Sequence, residues 1–150
     1  MSNENLLEVY RQLRQSQDKY TYFLLAAVGA AIGLAINQTQ GSALSWSQIP
    51  LGCAVLCWSL SFIYGCRHLV YISTALYANA ARIGVERGED PAVGRHPHMI
   101  GAASTRIQKA FEENAERANR NSGWQFRFLV IGAIFYIAWH LLEMLLKTLA

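Results

Sequence analysis

Three long apolar stretches constrain this chain more than any other feature of its sequence. They run from Tyr20 to Asn37, from Ile49 to Cys66 and from Phe128 to Leu146, and Glu143 is the single formally charged residue within them. An α-helix rises about 1.5 Å per residue, so about 20 apolar residues cross the hydrocarbon core of a bilayer. The sequence therefore predicts an all-α, polytopic integral membrane protein with three transmembrane helices.

The residues before the first span have the pattern of an amphipathic helix. Leu6, Val9, Tyr10 and Leu13 lie on one stripe, and polar residues occupy the rest of the segment. We expect this helix to run directly into the first span and to lie on the membrane surface or against a neighbouring helix.

The chain between the second and third spans predicts two further helical segments. The second span is expected to continue as a helix to about Gly84, where a Gly- and Pro-containing loop follows. Ala102 to Asn121 has the pattern of another helix, with Ser104 as its N-cap. We expect residues 121–123 to break or bend this helix, before Trp124 marks the membrane interface.

These expectations divide the chain into four parts. Residues 1–19 form the amphipathic N-terminal helix, residues 20–72 a transmembrane hairpin, residues 73–123 a cytoplasmic helix–loop–helix, and residues 124–150 the third transmembrane helix.

The distribution of Lys and Arg predicts the orientation, because cytoplasmic loops carry an excess of these residues. The N-terminal segment and the long connection are rich in them, residues 38–48 contain none, and the C-terminal end has only Lys147. The N-terminus and the long connection are therefore expected in the cytoplasm and the C-terminus outside, in a bacterial inner membrane or its equivalent.

Length and composition exclude several classes of function. With about 60 of its 150 residues in the bilayer, the chain has no room for a separate enzyme domain of ordinary size, about 100 residues. A net charge of +3 gives no reason to expect nucleic acid. The sequence has no Gly-rich phosphate loop, HExxH, CxxC or nucleophile elbow. We therefore expect that the protein is not an enzyme and that it binds no cofactor or metal ion.

The cysteines Cys53, Cys57 and Cys66 are expected to behave as small apolar side chains.

Small residues recur at helical spacing within the spans. Gly29 and Gly33 lie four apart in the first span with Ala26 on the same strip, and Ser61 and Gly65 repeat this spacing in the second. Small side chains allow helix backbones to approach closely, which drives association in lipid. The sequence predicts tight helix packing through these residues, within one chain, between chains, or both.

Two ionisable residues lie within the third span. His140 and Glu143 are three apart on one helical face, and Lys147 follows Glu143 by four. Ionisable groups at membrane depth are costly and indicate a functional site by default. The sequence allows two interpretations. His140 and Glu143 line a hydrated path near the outer leaflet, or Glu143 forms an ion pair with Lys147 at the outer interface while His140 hydrogen-bonds a neighbouring helix.

Other polar residues lie at the cytoplasmic side. Arg67 and His68 lie at the cytoplasmic end of the second span, and Arg127 lies at the cytoplasmic end of the third. These three residues anchor the helices to lipid headgroups, or they form a positive ring around the inner mouth of a pore. In the long connection, Arg95, His96 and His98, with Arg106 beyond them, form an exposed loop or contact a ligand.

Two functions of different class follow. The first is a homo-oligomeric, pore-forming or membrane-perturbing protein, of the kind found among toxin-like effectors and defence systems, whose cytoplasmic region mediates assembly or receives a small signalling ligand or protein. The second is a non-conducting anchor that recruits a partner through a stripe containing Ile107 and Phe111. An enzyme acting on a lipid is a remote third, with His140, Glu143 or His68 as acid or base.

Overall fold

Three long α-helices make up this protein. A computed structural model describes residues 3–40, 45–94 and 96–149. Helix α1 spans Asn3–Thr39, α2 spans Ile49–Glu86 and α3 spans Pro97–Leu149, and a short 3₁₀ helix, Trp46–Gln48, precedes α2. The described part of the chain contains no strand, and each of the three helices is long and apolar enough to cross a membrane. The predicted all-α class and the three apolar helices are confirmed.

Helix α3 differs from the sequence prediction, because it runs without interruption from Pro97 to Leu149. Pro97 is accepted at the first position, where its missing N–H would have no helical partner. The predicted break at residues 121–123 is wrong. Asn121 donates its side-chain amide to the Arg117 carbonyl one turn earlier, at 2.7 Å, and Gly123 has no positive φ.

The N-cap predicted at Ser104 is also wrong, because this residue lies inside α3. Its hydroxyl donates instead to Glu86 Oε1 at 3.0 Å. The true connection begins after Glu86 and ends before Pro97. It turns at Gly88 and Gly94, which have φ angles of 69° and 60°, the left-handed region that glycine adopts without steric cost.

The chain divides into two compact units. Unit 1 comprises Met1–Gly65 and Trp124–Ala150, and unit 2 comprises Cys66–Gly123. The core of unit 1 is a cluster of buried apolar side chains from α1 and α2: Val28, Ala35, Leu51, Ala54 and Trp58. Leu129, Tyr136 and Trp139 of α3 pack against this cluster, so all three helices contribute to one apolar interior.

The contact of α3 with Trp58 depends on a glycine. A Cβ atom added to Gly132 would lie 2.6 Å from the Trp58 ring, so only glycine allows the α3 backbone to rest on it. Trp58 Nε1 donates to the Leu129 carbonyl at 3.3 Å, and the Tyr136 ring centroid lies 5.6 Å from that of Trp58. These contacts fix the position of α3 in unit 1.

In unit 2 the second half of α2 packs antiparallel to the first half of α3. His68 Nδ1 donates to the Ala118 carbonyl at 2.8 Å, and Glu86 accepts from Ser104. Between these points Arg82 donates to Glu86 and to Gln108. Position 68 thus faces position 118, and position 86 faces position 104.

The described side chains in the first part of α1 are exposed. The helix is continuous from Asn3 into the apolar stretch, as predicted, and the side chains of residues 11–20 are all exposed. Val9 and Leu13 of the apolar stripe are 46% and 57% exposed. The other stripe residues, Leu6 and Tyr10, have side chains outside the described part.

Candidate functional site

The small residues of α1 lie on the outer surface of unit 1. We define the α1 strip as Ala26, Gly29, Ala30 and Gly33, all of which are exposed. A Cβ atom added to Gly29 or Gly33 would meet nothing within 4 Å. The residues of α1 that unit 1 buries lie on a different face: Thr21, Leu24, Val28 and Ala35. The strip therefore points away from the chain's own interior.

The small residues of α2 have the opposite environment. Ser61 is fully buried, and its hydroxyl donates to the Gln125 carbonyl at 2.7 Å. A Cβ atom added to Gly65 would lie 2.6 Å from Gln125 Nε2 and 2.7 Å from Leu25 Cδ2. Ser61 and Gly65 are thus packing positions within unit 1, although their spacing in the sequence resembles that of Gly29 and Gly33.

Gln125 is an important residue that the sequence analysis did not identify. Its side chain is fully buried, and neither Nε2 nor Oε1 has a hydrogen-bond partner among the described residues. A signal was available, since Asn121, Gln125, Leu129 and Gly132 continue one helical seam of α3 at spacings of three and four. Recognising it required treating residues 121–123 as helical.

The two ionisable residues of the third span lie in different surroundings. His140 is exposed, with its ring centroid 6.3 Å from that of Trp139. Glu143 is half-buried, and its Oε1 accepts from the Ser47 hydroxyl at 2.9 Å. The suggested ion pair with Lys147 is not formed within the described ranges, so Ser47 is the observed partner of this carboxyl.

Arg127 lies over an aromatic ring at the start of the third span. Its guanidinium lies 5.0 Å from the centroid of the Trp124 ring. Phe128 stacks on Tyr64 with centroids 5.6 Å apart. A cation over an exposed aromatic face is typical of a membrane-interface anchor, which agrees with the simpler of the two interpretations of this residue.

Arg67 and His68 belong to unit 2 and are close to α3. His68 contacts Ala118, as described above. Arg67 and, less strongly, Arg117 hold the pKa of the Tyr71 phenol below its usual range, because a nearby guanidinium favours the charged form. Sequence analysis selected Arg67 and His68 but not Tyr71 or Arg117, because the pairing of α2 with α3 was needed to bring these residues together.

The candidate residues of the long connection are not brought together. Arg95 lies outside the described residues, and His96, His98 and Arg106 are exposed. No group of three potential metal ligands is found among the described side chains, and the cysteines are free thiols. Ile107 and Phe111 are half-buried in unit 2. Phe111 lies midway between Ser104 and Ala118 on the face of α3 that contacts α2.

No protein-family model, curated protein or solved structure matches this chain. The functional assignment therefore depends on the residues themselves. The exposed α1 strip is a surface on which another helix could pack. In addition, ionisable groups lie near the ends of the apolar stretches.

Proposed function

We propose that this protein assembles as a homo-oligomer in the membrane and forms a pore. The observation that carries the proposal is the exposure of Gly29 and Gly33 in the α1 strip, with open space around both. In lipid, small side chains promote association because they allow backbones to approach and pack closely. A second copy of this chain is the simplest partner, since it presents the same strip.

The ionisable residues of α3 support a pore rather than a purely structural assembly. His140 is exposed within the apolar stretch of α3, and an ionisable group there is costly unless it contacts water or a polar partner. We propose that His140 and Glu143 lie near the outer mouth of the pore. The N-terminus and unit 2 are in the cytoplasm of a bacterial-type cell, where unit 2 mediates assembly or receives a signal.

The alternative is a non-conducting anchor that recruits a partner through Ile107 and Phe111. Both side chains are already half-buried within unit 2, which leaves less apolar surface for another protein. This observation favours the pore. A toxin-like effector or a defence-system component would have the same design.

Ion flux through liposomes containing the purified full-length protein tests the proposal. In Glu143→Gln the remaining carbonyl oxygen can still accept from Ser47, so the change removes charge and little else. We expect altered cation flux or selectivity with unchanged assembly. His140→Phe should reduce flux, because an apolar constriction is prone to dewetting.

The matched control is Glu89→Gln, the same chemical change at an exposed carboxylate in the connection after α2. It should conduct like wild type when incorporation is equal. Unaltered flux in both α3 variants would remove His140 and Glu143 from the pore. Absence of wild-type flux, with candidate signals supplied, would favour the anchor.

A further inference from the structure

An apolar groove lies between the end of α1 and the start of α2, within unit 1. Its volume is about 500 Å³. Ala35 of α1 and Leu51 of α2 line it and are buried. Gly52 also lines the groove, and a Cβ atom added there would meet nothing within 4 Å. Glycine at this position therefore leaves the groove open.

The groove is accessible from the side of the two helices. Ile36 and Leu56, which line it, are 55% and 67% exposed. Both helices are long and apolar enough to cross a membrane. When they do so, the groove is open to the acyl chains of the bilayer.

Polar residues are confined to one end of the groove. These are Thr39, Ser45 and Gln48, at the connection between α1 and α2. The Thr39 hydroxyl donates to the carbonyls of Ala35 and Ile36, at 3.2 and 2.9 Å, so its own helix already satisfies it. None of the described residues that line the groove is charged, and the groove therefore does not select its occupant by charge.

The groove is too small to be a docking site for another protein. A helix is about 10–12 Å wide, so about one helical turn would fill this volume. A stable protein interface uses about 20–30 residues on each side, whereas ten residues line the groove. A single acyl chain is narrow and flexible, and it fits without a large interface.

We propose that this groove binds one acyl chain of a membrane phospholipid, with the headgroup at the polar end beside Thr39 and Ser45. Lipid tails are as apolar as leucine, so the hydrophobic effect gives no preference for the groove over the bilayer. The chain is held by dispersion contacts, which the walls of an unfilled groove would lose. The proposal requires the helices to cross a membrane and is independent of pore formation.

Native mass spectrometry of the full-length protein, released from a neutral detergent, tests the groove. The probes are phosphatidylcholine and phosphatidylglycerol, added separately. We expect wild type to retain one phospholipid per chain, and to retain the two lipids equally because the groove has no charged residue. Gly52→Leu should lose this lipid, since the new side chain occupies the space of the acyl chain.

The matched control is Gly84→Leu, the same change in the same helix at another position with open space, and it should retain lipid like wild type. Ile36→Ala removes part of one exposed wall and should reduce lipid retention with the fold intact. The Tm of each variant reports whether it is folded.

Several results would overturn the proposal. Wild type that retains neither lipid, or only the anionic one, would exclude a chain-binding groove without charge selection. Folded Gly52→Leu and Ile36→Ala variants that retain as much lipid as wild type would place the bound lipid elsewhere. A smaller oligomer in Gly52→Leu would mean that a second copy of the chain occupies the groove.

Discussion

Single glycines have two opposite roles in this protein. Gly65 and Gly132 permit close contacts inside unit 1, whereas Gly29 and Gly33 have open space around them. The sequence shows the same four-residue spacing in the first and second spans and cannot distinguish these cases. The difference comes from which helix face packs inward, and that depends on all three helices at once.

Gly65→Ala should destabilise the protein by about 1–3 kcal/mol, the usual cost of overpacking a well-packed core. The new methyl group would lie 2.6 Å from Gln125 Nε2. Thermal unfolding in detergent measures the effect. The matched control is Gly52→Ala in the same helix, where the added methyl meets nothing within 4 Å. Equal stability of the two variants would contradict the close contact between α2 and α3.

Gln125→Met should raise stability by about 1–3 kcal/mol, because it keeps the side-chain volume while removing a buried amide. That amide has no partner among the described residues. Chemical or thermal unfolding compared with wild type gives the answer. A clear loss of stability would mean that the carboxamide is satisfied in the folded protein, and this account of Gln125 would then be wrong.

Individual helices were largely predictable, because apolar periodicity and length dominate their formation in this chain. The position at which α2 ends was predicted closely, and the amphipathic N-terminal segment continues into the first span as expected. The start and continuity of α3 were not. Local signals at Ser104 and at residues 121–123 favour helix ends, but packing against α2 and a side-chain hydrogen bond within α3 override them.

Gly123→Ala tests the continuity of α3. In an unbroken helix, alanine is favoured over glycine by about 0.5–1 kcal/mol, and the new methyl group would meet nothing within 4 Å. We expect higher thermal stability with unchanged helix content by circular dichroism. A lower Tm would indicate that residue 123 needs the freedom of glycine, as a break or bend would require.

The molecule as a whole has three helices that are long and apolar enough to cross a membrane, and the distribution of Lys and Arg predicts their orientation. We predict the N-terminus in the cytoplasm and the C-terminus outside. Reporter fusions at Met1 and Ala150, one type active only in the cytoplasm and one only outside it, measure this directly. Both termini on the same side would mean an even number of crossings and would exclude the three-span topology.

The candidate site was only partly predictable for a related reason. His140, Glu143, Arg67 and His68 stand out as polar residues at or near apolar stretches. Ser47, which donates to Glu143, and Tyr71, whose pKa is lowered by Arg67 and Arg117, do not, because they are distant in the sequence or unremarkable in type. Only the packing of the helices brings these groups together.

The mass of the particle in nanodiscs or mild detergent decides whether the α1 strip joins copies of this chain. The chain has a mass of 16.8 kDa, and we predict a wild-type particle that contains several copies. Gly29→Leu with Gly33→Leu should reduce it to a single copy, since these side chains meet nothing within their own chain, while Gly52→Leu should leave it unchanged. A monomeric wild-type protein, or an oligomer unaffected by the double substitution, would contradict assembly through the strip.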